Sequence, residues 1–350
     1  MNPMMLEDAE YLAKSGAAYW EALAGKTVFI SGATGLLGSQ TVLALDAYNR
    51  MKDGKITIYA HVRNKAKAEK LFAGATDHLK ILCGDMTEPV SVEGEIDYII
   101  HAASMTSSKD FVEKPVETIM TGITATNNYL KLAADKKVRG FLYLSSLEAY
   151  GVIDPPIEKV TEEDYGRINQ LSVRSSYSEG KRMAECLVAS YASEYGVPAK
   201  IVRLCQTFGP GISYDDGRVF AQFARAAIEG TDIVLKTKGE TYRNYCYTRD
   251  AVAGMLTVLT RGEVGEAYNI AAAGTGISIA DMAHMIADEF GEGRTKVVFD
   301  IAEDATKLGY NPKIVIELDT QKTERLSWRS EIGLKESFER LIAYMKSIRA

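Results

Sequence analysis

The sequence predicts an α/β fold, a doubly wound parallel sheet with a smaller C-terminal lobe. Three observations carry this reading. Short apolar strands alternate with helical stretches from residue 25 onward, a glycine-rich turn joins the first strand to the first helix, and the alternation loses its regularity after Phe208. Strands separated by helical crossovers are parallel, and such a sheet is covered on both faces, which suits short runs that are apolar throughout.

Taken in order, residues 6–23 (Leu6, Tyr11, Leu12, Trp20, Leu23) read as one amphipathic helix packed as a cover on the domain that begins near residue 25. Val28–Ile30 is a short buried strand, followed by the glycine turn and a helix through Leu45. Ile56–Val62 is the second strand, with a Lys-rich helix around 65–72 behind it; Leu79–Leu82 and Tyr98–His101 are the third and fourth. A helix near 116–135 leads to Phe141–Leu144, and a long helix over 177–195 leads to Ile201–Leu204. Beyond Phe208, Gly, Asp and Tyr cluster, and Tyr245–Tyr247 and Ala267–Ile270 read as extended segments. The expected division is a first domain over 1–205 plus 241–271, with 1–24 as a helical extension, and a second lobe over 206–240 plus 272–350.

Composition narrows the function. With 46% hydrophobic and 25% charged residues in 350, the chain is an ordinary globular one, long enough to bury a sizeable core. Its 41 basic and 47 acidic residues give a net charge of −6, which argues against nucleic acid as a partner while leaving room for a local phosphate pocket. Cys83, Cys186, Cys205 and Cys246 form no CxxC pair, and the four His (61, 78, 101, 284) show no ligand spacing, so no metal is expected. Free thiols fit a reducing, cytoplasmic compartment. No apolar run reaches the roughly 18 residues of a membrane span, and Glu7, Asp8 and Glu10 are unlike a secretory leader.

Gly32-Ala33-Thr34-Gly35-Leu36-Leu37-Gly38 stands between the first strand and first helix. Glycines there permit the tight turn, let backbone N–H groups approach a pyrophosphate, and let helix and strand pack closely, while the helix N-terminus favours negative charge. The second strand runs into Arg63-Asn64-Lys65. A dinucleotide site usually places an acidic residue there for the ribose diol of NAD, and a basic one suits the 2′-phosphate of NADP. Arg63 and Lys65 therefore lean to NADP; as solvated charges opening the next helix they would say nothing. Asp85, followed by Met86, is placed to accept from the adenine amine. His101-Ala102-Ala103-Ser104 ends the fourth strand with small residues that let a cofactor lie close, and His101 itself reads as structural.

Tyr177 and Lys181 are four residues apart, hence on one helical face. A free phenol titrates near ~10 and is a poor base at neutral pH. A lysine ammonium and an oxidised nicotinamide ring beside it would both favour the phenolate, which is what a general base acting on an alcohol requires. Ser146, at the end of the fifth strand, would bond the same substrate hydroxyl.

On these motifs, together with Ser145–Gly151 and Arg203–Pro210, the chain resembles the extended short-chain dehydrogenases/reductases of the nucleotide-sugar epimerase/dehydratase group over roughly 26–345. The segments 174–185, 215–220 and 239–243, with Asp250, are similar to UDP-glucuronate decarboxylases. The resemblance implies a Rossmann domain, NAD as cofactor, a nucleotide-sugar substrate, and a homodimer paired through the helices near 116–135 and 177–195. It implies Ser146, Tyr177 and Lys181 as the catalytic triad, and diphosphate contacts from Arg218 and Arg243. Gln206 falls where these families usually carry Asn. Glu148 stands where 4,6-dehydratases place a base at C5, and decarboxylases carry Glu there too. Two departures separate this chain from its relatives. Leu147 replaces the Asp or Ser proton donor, and the segment near 311–326 lacks the Arg-Lys-Pro whose arginine would recognise a sugar carboxylate. The expected function is thus an epimerase or dehydratase working through a 4-keto intermediate, with UDP-glucuronate decarboxylation as the alternative. A non-catalytic NAD(P)-binding sensor would show an eroded Tyr/Lys pair, and here the pair is intact.

Overall fold

The computed structural model describes residues 1–302 and 313–349. Its strands are β1 (Thr27–Ser31), β2 (Thr57–Val62), β3 (Leu79–Cys83), β4 (Tyr98–His101), β5 (Gly140–Ser146), β6 (Ala199–Leu204), β7 (Gln206–Phe208), β8 (Ile233–Leu235), β9 (Tyr242–Arg243), β10 (Tyr245–Tyr247), β11 (Ala267–Ile270), β12 (Ile277–Ser278), β13 (Val297–Phe299) and β14 (Val315–Ile316). The helices are α1 (Pro3–Lys14), α2 (Tyr19–Leu23), α3 (Leu36–Lys52), α4 (Lys65–Leu71), α5 (Asp110–Glu113), α6 (Pro115–Lys136), α7 (Ser176–Tyr195), α8 (Val219–Glu229), α9 (Thr248–Arg261), α10 (Ile279–Phe290), α11 (Gln321–Glu324) and α12 (Leu334–Arg349).

Seven strands form one sheet in the order β11-β6-β5-β4-β1-β2-β3, and every neighbouring pair is parallel. Side chains alternate between the two faces, and the core divides accordingly. Val28, Ile30, Leu142, Leu144, Val202 and Leu204 join one apolar cluster, with residues of α1, α3 and α9. Phe29, Phe141, Tyr143 and Ile201 join the other, with residues of α6 and α7. This is the doubly wound Rossmann arrangement expected. The order reverses between β1 and β4, so the cleft opens at the carboxyl ends of these strands, where such sheets bind ligands.

The smaller strands gather the less regular half of the chain. β10 pairs in parallel with β7, β9 lies between β12 and β14, and β13 pairs with β8. Ala267–Ile270, read from sequence as an extended segment, is the seventh strand of the main sheet.

The cover expected over residues 6–23 is two helices rather than one. Ser15 Oγ donates to Leu12 O at 2.7 Å and Gly16 takes φ +66°, a left-handed turn that ends α1. Both pieces still bury their apolar face: Met5, Ala9 and Leu12 are buried, and Trp20 stacks on Tyr48 of α3 at 4.3 Å while its Nε1 donates to Leu12 O at 2.9 Å. No helix among the described residues is long and apolar enough to cross a membrane.

Candidate active site

A cleft of about 890 Å³ runs along the carboxyl ends of β1, β4, β5 and β6. Its lining includes Gly32, Thr34, Gly35, Leu36, Leu37, Gly38, Arg63, Asp85, Met86, Ala102, Ala103, Ser104, Ser146, Glu148, Tyr177, Lys181, Gln206 and Arg218. The structure thus brings together the site residues proposed from sequence except Lys65 and Arg243.

The glycine turn passes the test of fit for a diphosphate. A Cβ on Gly32 would stand 2.7 Å from the Ala103 backbone, and one on Gly38 would stand 2.3 Å from Gly32 O. Larger residues would push the turn and the β4 end apart. Gly35 caps α3 with no side-chain acceptor, so the first N–H groups of the helix are left for a ligand.

A directed hydrogen-bond chain holds the opposite wall. Thr126 Oγ1 donates to Gly122 O at 2.8 Å, so toward His101 Nε2, 3.1 Å away, it accepts. His101 therefore carries its proton on Nε2, and its bare Nδ1 accepts from Ser31 Oγ at 2.8 Å. Ser31 Oγ in turn accepts from Ala103 N at 3.2 Å. Burial drives the imidazole down to about 3, with Lys181 pushing the same way, so the ring stays neutral. The structural reading of His101 gains a mechanism: it ties β1 and the Ala102–Ser104 wall together beneath the cleft.

At the other end, Asp85 Oδ1 accepts from Thr87 N and Oγ1 at 2.8 and 2.7 Å, and these bonds hold its carboxyl below the usual range. Lys65 turns away to Glu69 (3.7 Å) and is not part of the lining. Lys67, unremarked in the sequence, is: its Nζ donates to Thr34 O at 3.1 Å.

Tyr177 and Lys181 lie on one face of α7, fixed by a buried cluster behind them. Arg203 of β6 grips Glu185 of α7 (Nη2 to Oε2, 2.8 Å), and Ser145 Oγ donates to the same carboxylate. Lys181 Nζ donates to Leu144 O at 2.6 Å and lies 5.7 Å from the centre of the Tyr177 ring. Burial lowers the ammonium to about 8, while Glu185 pulls it upward. The chain's own groups alone do not depress the phenol. Burial pushes Tyr177 well above the ordinary tyrosine value, and the Glu148 carboxylate adds to it; Ser146, Arg174 and Arg218 pull the other way.

Glu148 is already engaged. Arg174 Nη1 and Nη2 donate to Oε2 and Oε1 at 3.2 Å each, and Ser178 Oγ donates to Oε2 at 3.0 Å. The Arg174 guanidinium also lies 4.9 Å from the centre of the Phe111 ring, and Phe111 stacks on Tyr177 at 4.3 Å. No role was assigned to Arg174, Ser178 or Phe111 from sequence, where 26 to 66 residues separate the partners. Leu147 is buried, so the position of the missing proton donor is filled by core.

Arg218, also in the lining, is held by Asp216 through a fork (Nε to Oδ1 3.0 Å, Nη2 to Oδ2 2.7 Å). Gln206 begins β7. Arg243 lies in β9, outside the lining, because β9 is sandwiched between β12 and β14; its buried Nε finds no hydrogen-bond partner among the described residues. Asn311 and Pro312, where the Arg-Lys-Pro comparison begins, lie outside the described residues.

The chain is similar to known proteins in sequence and in fold. The profile of the NAD dependent epimerase/dehydratase family matches residues 28–271. The chain is 31% identical over 319 residues to UDP-glucuronic acid decarboxylase 5 of Arabidopsis thaliana, covering 88% of this chain and 86% of that one. It is 33% identical over 247 residues to decarboxylase 6 of the same plant, covering 68% and 67%. In structure it is similar to a UDP-glucose 4-epimerase from Thermotoga maritima (TM-score 0.77, 18% identity, covering 93% of this chain and 100% of that one). It is also similar to a dTDP-glucose 4,6-dehydratase from Streptomyces venezuelae (TM-score 0.75, 22% identity, covering 92% and 98%). These neighbours share the fold. With the profile spanning more than half its length, the chain is a member of the NAD dependent epimerase/dehydratase family.

Proposed function

We propose that the chain oxidises C4 of a nucleotide-linked sugar and completes turnover on the resulting 4-keto sugar, with loss of carbon dioxide from a UDP-linked uronic acid as the outcome. The observation that carries the outcome is the likeness to UDP-glucuronic acid decarboxylases across 88% of the chain. A bound oxidised nicotinamide would supply the hydride acceptor and a positive charge beside the phenol. Gly32–Gly38 would hold the diphosphate, the Ala102–Ser104 wall would lie against the dinucleotide, and Asp85 and Met86 would border the adenine. Which dinucleotide is bound turns on the corner at Arg63.

In this reading Tyr177 is the base. Its phenolic oxygen takes the C4 hydroxyl proton, Ser146 bonds that hydroxyl, and Lys181 holds positive charge behind the ring. The raised phenol sets the condition: only when a positive charge offsets burial and Glu148 does the base form at neutral pH. A C4 ketone beside a C5 carboxylate then lets the C5–C6 bond break, the electron pair passing into the carbonyl as carbon dioxide leaves; a proton from water would close C5, and Tyr177 would return its proton to the C4 oxygen as the ketone takes its hydride back. Glu148, held as an acceptor, would orient a sugar hydroxyl. Arg218 and Arg243 are proposed for the diphosphate, Arg218 exchanging Asp216 for it, and Gln206 for the sugar.

A second reading, 4-epimerisation, is favoured by Leu147 and by the absent Arg-Lys-Pro, since return of the hydride to the opposite face needs neither. We further propose division into the domain 1–205 plus 241–271 and the lobe 206–240 plus 272–350, and a homodimer through α6 and α7. The test of function is incubation with UDP-glucuronate, UDP-glucose, UDP-N-acetylglucosamine and dTDP-glucose, followed by mass and NMR analysis. Loss of carbon dioxide from the first supports decarboxylation; an unchanged mass with inverted C4 supports epimerisation; loss of water shows a dehydratase. Recovery of all four unchanged, with cofactor present, overturns both readings.

A further inference from the structure

Among the described residues, every hydrogen bond of the Arg174 guanidinium goes to one carboxylate of the cleft. Arg174 stands in the turn Val173–Ser175 that leads straight into α7, three residues before Tyr177. Its Nη1 and Nη2 donate to Glu148 at 3.2 Å, while its Nε is buried with no hydrogen-bond partner among the described residues. A buried donor left unpaired destabilises a fold, so its presence here points to a role in the site. The same guanidinium lies 4.9 Å from the centre of the Phe111 ring, which stacks on the Tyr177 ring at 4.3 Å and 12°. Ser176 Oγ, next to Tyr177 in the chain, donates to Phe111 O at 2.8 Å, so the buried Phe111 is tied to the phenol by both ring and backbone. Guanidinium, Phe111 ring and phenol form one contiguous stack, with Glu148 against its charged end.

The charges around Tyr177 give this stack its effect. Lys181 lies on the same helix, the Tyr143 phenol on β5, Glu148 just beyond β5 and Arg218 just before α8, and Asp110 and Lys114 also line the cleft. The Arg218 charge is met by Asp216. Glu148 is the carboxylate that disfavours a phenolate here, and the Arg174 fork is what offsets it. Resting on the reading of Tyr177 as the base, we propose that Arg174 is a positioning residue: it neutralises Glu148 beside the base and holds the Phe111 ring flat on the phenol.

The test is ultraviolet difference titration of the Tyr177 phenol in the NAD-bound protein, each variant being compared with its own Tyr177→Phe counterpart. Arg174→Met leaves Glu148 uncompensated and should move the ionisation up by about one pH unit or more. Glu148→Gln leaves the guanidinium uncompensated and should move it down by a similar amount. The double variant should return to within about half a pH unit of the parent, and Arg174→Lys, which keeps the charge, should stay within the same range. NAD affinity should stay within about twofold in all four. The two single variants shift in opposite directions and each decides alone, so misfolding of one leaves the other decisive. A phenol that ionises alike in the parent and in a folded single variant, or a double variant shifted as far as Arg174→Met, would overturn the positioning role and leave the base in place. Retained turnover in Tyr177→Phe would overturn the base, and this role with it.

Discussion

Arg174 grips the Glu148 carboxylate at both oxygens, 3.2 Å each, and Ser178 adds a third donor at 3.0 Å. A carboxylate so held is an oriented acceptor beside Tyr177 rather than a freely moving proton carrier. Glu148→Gln would turn an amide N–H₂ or a weaker acceptor toward the guanidinium. A loss of about 1–3 kcal/mol in stability is expected, read by urea denaturation. In product analysis it should slow loss of carbon dioxide by about tenfold or more, because the acceptor that orients the sugar hydroxyl is weakened. Full carbon dioxide release by the variant would remove Glu148 from the chemistry. Arg174→Lys, which keeps the charge and loses the fork, should lower kcat by about tenfold or more with cofactor affinity unchanged.

Lys181 carries a cost that its proposed place behind the Tyr177 base would explain. Its folded value of about 8 lies below the ordinary 10.5, so between those pH values the unfolded chain binds more protons than the folded one. This group therefore adds stability as pH rises from about 8 to 10.5 and imposes its full cost below 8. Lys181→Met removes a penalty of about 3 kcal/mol and a hydrogen bond to Leu144 O worth about 1 kcal/mol. The variant is expected to be inactive yet about 2 kcal/mol more stable at pH 7. A lowered melting temperature would contradict the burial argument.

Tyr177→Phe should abolish turnover and leave dinucleotide binding intact, since the ring still stacks on Phe111 and only the phenolic oxygen is lost. Retained activity would sink the assigned base. With the phenol raised by burial and Glu148, its ionisation in the cofactor-free protein should lie above the ordinary tyrosine range. Ultraviolet difference titration of the parent against Tyr177→Phe checks this, and ionisation near neutrality without cofactor would refute it.

Neutral His101 gives a test independent of activity. The chain has 4 His, so nitrogen-15 spectra of histidine-labelled protein can be assigned by single variants. His101 should show the Nε2–H tautomer from about pH 5 to 9 with no titration step. His101→Phe should weaken cofactor binding about tenfold while the fold survives, because Ser31 loses the acceptor that orients it toward Ala103 N. A protonated ring at pH 6 would break the chain of donors deduced for the wall.

Much of the sheet was legible because its signal is strong and local. Val28-Phe29-Ile30 sends alternate residues into the two core clusters, and runs apolar on both faces mark a buried parallel strand. The break at Ser15–Gly16 was not legible, since Leu12, Trp20 and Leu23 keep a helical pattern across it. In the cleft, residues at strand ends could be placed by their distance from a glycine turn or a strand. Arg174 and Phe111 could not, because they reach Glu148 and Tyr177 only through tertiary folding. The rise of the Tyr177 phenol in the chain by itself was not legible for a related reason: spacing shows which charges are near in sequence, and burial, the larger effect here, has no sequence spacing. Lys65 and Lys67 differ only in helical phase, which the Asn64 cap determines.

The proposed dimer can be tested at the surface that α6 and α7 leave uncovered. Val116 and Met120, four residues apart on α6, are 67% and 54% exposed, and Met183 on α7 is 55% exposed. Large apolar side chains on two long, adjacent helices are poorly placed in a monomer. Pairing two such helices from each copy would bury them and could reach the roughly 800 Å² per partner of a stable interface. Light scattering of the parent protein should therefore give twice the chain mass at micromolar concentration. Val116→Arg combined with Met120→Arg should give one chain mass, with the melting profile of the monomer still cooperative. A parent that scatters as a monomer throughout, or a double variant that still dimerises, would place the interface elsewhere or remove it.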